Sequence, residues 1–180
     1  MIDKNFCMSS YLAFRYIERD DMEFAAGLHH TKDIPYPEEK KTIVYTADDI
    51  ADAYKKAFES KKDINLGILL SGGVDSACLA AFMKPGTHAY TFRFLGGEFG
   101  NIDYERAEKY CQKYGLIHHA VDIDWNTVEK NIDKLMLTKG APVHSIEPQI
   151  MEGAIQAQKD GVEMMVAADG SDLVFGGMDR

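Results

Sequence analysis

Ile64-Asn65-Leu66-Gly67-Ile68-Leu69-Leu70-Ser71-Gly72-Gly73-Val74-Asp75-Ser76-Ala77-Cys78-Leu79-Ala80-Ala81-Phe82-Met83 passes from an apolar strand pattern, through two adjacent glycines, into an alanine-rich helix pattern. The first N–H groups of a helix have no intrahelical partners and carry a partial positive charge, so such a turn suits a phosphate. Gly72 and Gly73 let the backbone approach an anion closely, and Ser71 and Ser76 add hydroxyls. Asp75 is the odd member, because a carboxylate beside a phosphate is repulsive unless a cation lies between them. Mg²⁺ takes one or two carboxylates together with phosphate oxygens, which resolves the conflict. The stretch reads as a pyrophosphate cradle with a built-in metal ligand. Neither G-x-x-x-x-G-K-[ST] nor G-x-G-x-x-G occurs in the chain, so the commoner phosphate loops are not supported.

A second signal lies near the end. The apolar run Val162-Glu163-Met164-Met165-Val166 reads as a buried strand and leads into Ala167-Ala168-Asp169-Gly170-Ser171-Asp172-Leu173-Val174-Phe175-Gly176-Gly177. Two carboxylates with Gly and Ser between them form a tight turn beyond that strand. Open α/β sheets bind ligands at the carboxyl ends of their strands. Two loops at one such edge bring Asp75 and Asp172 toward the same cation.

Together the two motifs resemble the synthetase domain of asparagine synthetases, including their β-lactam synthetase relatives, within the ATP pyrophosphatase (PP-loop) superfamily. That family pairs an S-G-G-x-D-S loop with a later G-E-G-S-D-E-x-F-G-G segment. Between them, residues 87–94 fall where the family has a strand beside the adenine. Residues 105–119, ending Gly115-Leu116-Ile117-His118-His119, match its next helix and strand. The resemblance covers residues 45–180 and implies an α/β fold: a parallel sheet with helical crossovers in an adenine nucleotide alpha hydrolase-like (HUP-type) three-layer sandwich. It implies ATP and Mg²⁺ as ligands, with Ser71, Gly72, Gly73 and Ser76 at the pyrophosphate and Asp75 and Asp172 on the metal. Leu70, Phe92 and Ala168 would flank the adenine, and Gly170 and Ser171 would shape the second turn. Asp169 would take the family glutamate's place as a catalytic base near the reacting carboxyl.

Three departures weaken asparagine as the product: Asp169 is one methylene shorter than that glutamate, Leu173 replaces an acidic residue, and His144 stands where arginine is common. The implied activity is an AMP-forming amide ligase that adenylylates a small carboxylate and transfers it to ammonia or an amine. Position 2 is Ile2 rather than the cysteine of glutamine-dependent members, which leaves the nitrogen source open, with a separate glutaminase among the choices. The family's C-terminal helical part, with its lysine, is not in this sequence. A non-catalytic or truncated ATP-binding module is therefore the rival reading, with a tRNA-modifying ligase third. The resemblance leaves a homo-oligomer open.

The expected organisation is an N-terminal extension over residues 1–46, with strands at 11–17 and 24–28, then a nucleotide-binding domain over 47–180. Prolines 35 and 37 argue against a regular element over 33–41. Thr46 or Asp48 caps a helix reaching about Ser60, whose lysines form a solvated face above Ile50, Tyr54 and Phe58. With 46% hydrophobic residues among 180, the chain can bury a real core. A net charge of −9 offers no general field for nucleic acid. No apolar run reaches membrane-spanning length and no signal peptide pattern opens the chain, which points to the cytoplasm and to no membrane partner. Three cysteines without C-x-x-C suggest neither disulfides nor a zinc site. Cys78 and Cys111 read as packing residues and Cys7 as a surface thiol. The six histidines form no H-E-x-x-H, so they point to no transition-metal site, and alternation sends His118 and His119 to opposite faces. Phe92, Phe94, Met164 and Met165 read as core.

Overall fold

Strands β1 (Leu66–Leu69), β2 (His88–Phe94), β3 (Ile117–Ile123) and β4 (Met164–Val166) form one parallel sheet in the order β3-β2-β1-β4. The computed structural model describes residues 1–28, 30, 37–96 and 101–175. Its helices are α1 (Lys4–Phe14), α2 (Ala47–Glu59), α3 (Val74–Ala80), α4 (Ile102–Tyr114), α5 (Trp125–Lys139), α6 (Glu147–Lys159) and α7 (Ser171–Phe175). Two units divide the chain: Met1–Ile43 with Trp125–Ile150, and Val44–Asp124 with Met151–Arg180.

The second unit holds the sheet. Side chains alternate across each strand, so every strand feeds two faces. Ile68, Leu70 and Ala89 cluster with Leu79 and Ala80 of α3 and with Ala107 and Cys111 of α4. Tyr54 and Phe58 of α2 pack at the margin of that cluster. On the opposite face, Tyr90, Val121 and Ile123 meet Ala157 of α6, flanked by Leu69, Phe92, Val162 and Met165. Helices therefore cover both faces, and the expected three-layer α/β arrangement is present. Full burial of a side chain such as Ile68 contributes about 1.5–3 kcal/mol.

Of the two anticipated caps for α2, Thr46 fills the role. Its hydroxyl accepts from Asp49 N (3.2 Å), and the Asp49 carboxylate accepts from Thr46 N (2.9 Å). The N–H groups of Tyr45 and Thr46 together hold that carboxyl below the usual range. Helix α3 stops at Ala80, shorter than its apolar pattern, with turns carrying the chain to Pro85.

The N-terminal strands do not form. The expected strand over 11–17 is the end of α1 and the bends after it, and 24–28 is bends and turns. Short apolar runs do not distinguish strand from helix by periodicity. Asp3, which accepts from Phe6 N (3.0 Å), settles the matter as an N-cap. The strand-like pairing described here is a single bridge between Ile2 and Glu23. Cys7 is wholly buried against Ile17 and Met22, not on the surface, because α1 turns it inward. Conversely, Cys78 is exposed on α3, while buried Cys111 is pushed up to about 11 by desolvation. Phe94 and Met164, expected in the core, are exposed, whereas Phe92 and Met165 are partly buried.

Part of the 33–41 link lies outside the described residues, as do His29, Gly176 and Gly177. Within that link, Glu38–Lys40 forms one 3₁₀ turn despite the prolines, since Pro37 only precedes it. In the first unit the Lys139 ammonium donates to the Tyr11 hydroxyl and the Glu147 carboxylate, tying α1, α5 and the start of α6 together. No described helix is long and apolar enough to cross a membrane.

Candidate functional site

The Ser71–Ser76 loop leaves the carboxyl end of β1 and enters α3 at Gly73, an N-cap without a side chain to occupy the first-turn donors. Gly72 has φ +79°, a left-handed conformation that suits glycine. A Cβ there would lie 2.3 Å from the Asp103 carbonyl oxygen, so the start of α4 roofs the loop. At Gly73 a Cβ would meet only Ser71 Oγ, at 3.4 Å. Gly73 is exposed, so the N-cap is open on that side.

The loop is braced from below. Ser76, 2% exposed, donates its hydroxyl to Gly73 O (3.1 Å) and accepts from Ser71 N (3.2 Å). Ser71 Oγ lies 2.9 Å from Ser76 Oγ and accepts from Gly73 N (3.3 Å). Ser71 is exposed and Asp75 half-buried in the first turn of α3. Of the two serines, then, Ser71 faces outward and Ser76 holds the turn.

The second loop arrives beside the first. Parallel pairing sets Ile68 against Val166, so the chain after each strand emerges at the same edge of the sheet. Ala168 packs against the cluster beneath β1. Gly170 has φ +86°, with open space around its Cβ position. Ser171 N donates to Ala168 O (3.2 Å), closing the turn into α7. Asp169 is exposed on that turn and Asp172 is exposed in the first turn of α7. Each aspartate anticipated as a metal ligand thus opens a short helix, and those helices follow neighbouring strands. Phe92 lies two strand positions beyond Tyr90, on the α6 face of β2. Oxygen donors at the edge, an N-cap open to solvent and adjacent loops fit a Mg²⁺–polyphosphate group.

Residues 46–180 match the family model described as asparagine synthase. The chain belongs to the asparagine synthase family. It is 27% identical over 144 residues to the glutamine-hydrolysing asparagine synthetase of Asparagus officinalis, covering 68% of this chain and 24% of that protein. Against asparagine synthetase B (glutamine-hydrolysing) of Escherichia coli K12 it is 26% identical over 145 residues, 64% of this chain and 24% of that one. The chain thus spans about a quarter of the length of these curated relatives. Among solved structures, the glutamine-dependent NAD⁺ synthetase of Acinetobacter baumannii, in complex with ADP, superposes with a TM-score of 0.50 at 19% identity. That likeness covers 76% of this chain and 28% of the other, and it shows the shared fold.

In this asparagine synthase-family chain, two residues beside the loop escaped the reading of the sequence. Thr91, 1% exposed, donates its hydroxyl to the Leu70 carbonyl (2.7 Å), the last residue before the loop. His118 Nε2 stands 3.0 Å from the same Thr91 oxygen. The threonine has one proton and spends it on Leu70, so His118 must donate, which fixes its Nε2–H tautomer. Desolvation lowers the His118 pKa and favours that neutral ring, which stacks on Tyr104 of α4 at 4.7 Å. The Gly115-Leu116-Ile117-His118-His119 string had pointed to this position, but only the pairing of Thr91 with Ala120 brings His118 alongside Thr91. Thr91→Val is expected to lower stability by about 1–3 kcal/mol, because it strands a buried carbonyl and a half-buried ring N–H. Urea unfolding measures the loss, and nucleotide titration reads any displacement of the loop.

Proposed function

We propose that this chain is the nucleotide-binding part of an ATP-dependent, AMP-forming amide ligase. The observation that carries this reading is the Ser-Gly-Gly-Val-Asp-Ser turn between β1 and α3, beside the Asp169–Asp172 turn, in a chain whose residues 46–180 match the asparagine synthase model. Ser71 and the N–H groups around Gly73 would bind the pyrophosphate of ATP, with Gly72 allowing the approach and Ser76 bracing the turn. Leu70, Phe92 and Ala168 would border the adenine, while Gly170 and Ser171 would shape the second wall.

Asp75 and Asp172 would hold Mg²⁺, which when bound supplies positive charge against the departing pyrophosphate. A carboxylate oxygen of the small acid attacks the α-phosphorus, and the bond to the β-phosphate oxygen breaks. Ammonia or an amine then attacks the acyl carbon and AMP leaves. Asp169 would accept the proton that the nitrogen loses, provided the substrate comes within hydrogen-bond reach of its shorter side chain. Nitrogen from a separate glutaminase, and a cytoplasmic setting, complete the proposal.

Incubating the chain with ATP, Mg²⁺, ammonia and ¹⁸O-labelled candidate carboxylates tests it. One ¹⁸O in AMP, with pyrophosphate released in equal amount, is expected for the right acid. Mg²⁺-dependent ATP binding without pyrophosphate release for any acid would leave a nucleotide-binding module and reject the ligase. No ATP binding by the folded chain would reject both.

A further inference from the structure

We propose that His88, His119 and Asp160 form a site for one divalent transition-metal ion, with zinc the best match. The site lies away from the nucleotide edge: His88 opens β2, and Asp160 directly follows α6. Sequence spacing hides it, since its members come from two strands and a helix end. Strand register assembles it. Tyr90 pairs with His119, so His88 and His119 are diagonal neighbours on the same face of the sheet. Their rings lie parallel, 4.9 Å between centroids and 8° between planes.

One donor atom from each of the three residues falls within 4.8 Å of the others, and all three residues are half-buried. His88 Nδ1 and His119 Nε2 face each other at 2.8 Å. Donors at about 2.0–2.1 Å from a tetrahedral ion stand about 3.3 Å apart, so a small ring movement admits the ion. Without it, one imidazole lends the other a proton; the ion replaces that proton and releases it to solvent. The Asp160 carboxylate accepts from the Tyr90 hydroxyl (2.9 Å) and stands 3.8 Å from His119 Nδ1, the ring nitrogen other than the one facing His88, so His119 must turn its ring for one ion to meet all three residues. Tyr90 thereby aims the carboxylate as an outer partner, while the carboxylate keeps acceptor capacity.

Two imidazoles with one carboxylate suit Zn²⁺ far better than Mg²⁺, which prefers an all-oxygen octahedron. Partial exposure leaves a fourth position for water. The arrangement matches a three-ligand site, not a closed structural one.

The test is a competition titration of the full chain, stripped of metal, with Zn²⁺ against a chromophoric chelator, in excess Mg²⁺. One Zn²⁺ per chain is expected, and Co²⁺ is expected to give the intense visible bands of tetrahedral coordination. His88→Gln and His119→Gln should each weaken binding by roughly 100-fold, and Tyr90→Phe by roughly tenfold. A readout independent of folding in the variants is histidine-ring NMR of the wild type, in which Zn²⁺ should perturb the His88 and His119 rings first. Failure of the wild type to take up stoichiometric Zn²⁺, perturbation of other rings instead, or undiminished affinity in the folded double variant H88Q/H119Q would overturn the site.

Discussion

Asp75→Ala is expected to weaken ATP binding in the presence of Mg²⁺ by roughly 100-fold, about 2.7 kcal/mol, while strengthening the weaker metal-free binding. The asymmetry follows from the proposed role. A carboxylate next to phosphates repels them in the absence of the metal and becomes an asset only when a cation lies between. Half-buried Asp75 also sits in the first turn of α3, where any negative charge is stabilised by the helix dipole. That second effect is worth about 0.3–1 kcal/mol and acts on stability. Calorimetric titration with and without Mg²⁺, together with urea unfolding, separates the two. A variant that loses only stability, and binds Mg²⁺–ATP like the wild type, would reduce Asp75 to a helix-end charge and remove the metal from this loop.

Gly72→Ala carries the largest expected effect on the fold itself. Left-handed backbone costs a residue with a Cβ about 1–2 kcal/mol. The added methyl would also lie 2.3 Å from the Asp103 carbonyl oxygen, a backbone atom that cannot rotate away. Overpacking of that kind costs about 1–3 kcal/mol more. The sum, about 2–5 kcal/mol, corresponds to a fall in melting temperature of roughly 4–20 °C for a chain of this size. Either α4 retreats from the loop or the loop flattens, and in both cases the N-cap loses its geometry. Nucleotide affinity should therefore fall along with the melting temperature. Unchanged stability would mean that the roof over the loop is not formed by the start of α4.

The sheet and its two loops were legible because their signals are local. The run from Ile64 to Leu70, the paired glycines and the alanine-rich segment each specify their own conformation, and the same holds for Met164-Met165-Val166 and the turn after it. The N-terminal segment misled for the opposite reason. Tyr11-Leu12-Ala13-Phe14 is apolar enough for a strand, and the Asp3 cap that makes it helical lies eight residues upstream of Tyr11. Cys7 and Cys78 exchanged their expected environments, since burial depends on which way a helix faces its neighbours. Thr91, His118 and the His88–His119–Asp160 cluster stayed hidden because strand register, not spacing along the chain, brings each group together.

Position within the sheet ranks the two carboxylate-bearing loops by how firmly each is held. The loop after β1 follows a strand bonded on both sides, whereas among the described residues the three-residue β4 is bonded only to β1. A strand with one neighbour is expected to be held less firmly than one bonded on both sides, so among the described residues Asp172 hangs from the looser support and Asp75 from the firmer one. A nucleotide bridging both loops would gain its second wall only in molecules whose edge is closed. Its dissociation could then follow the rhythm of that margin, with the anchored loop acting as the doorpost and the edge strand as the door.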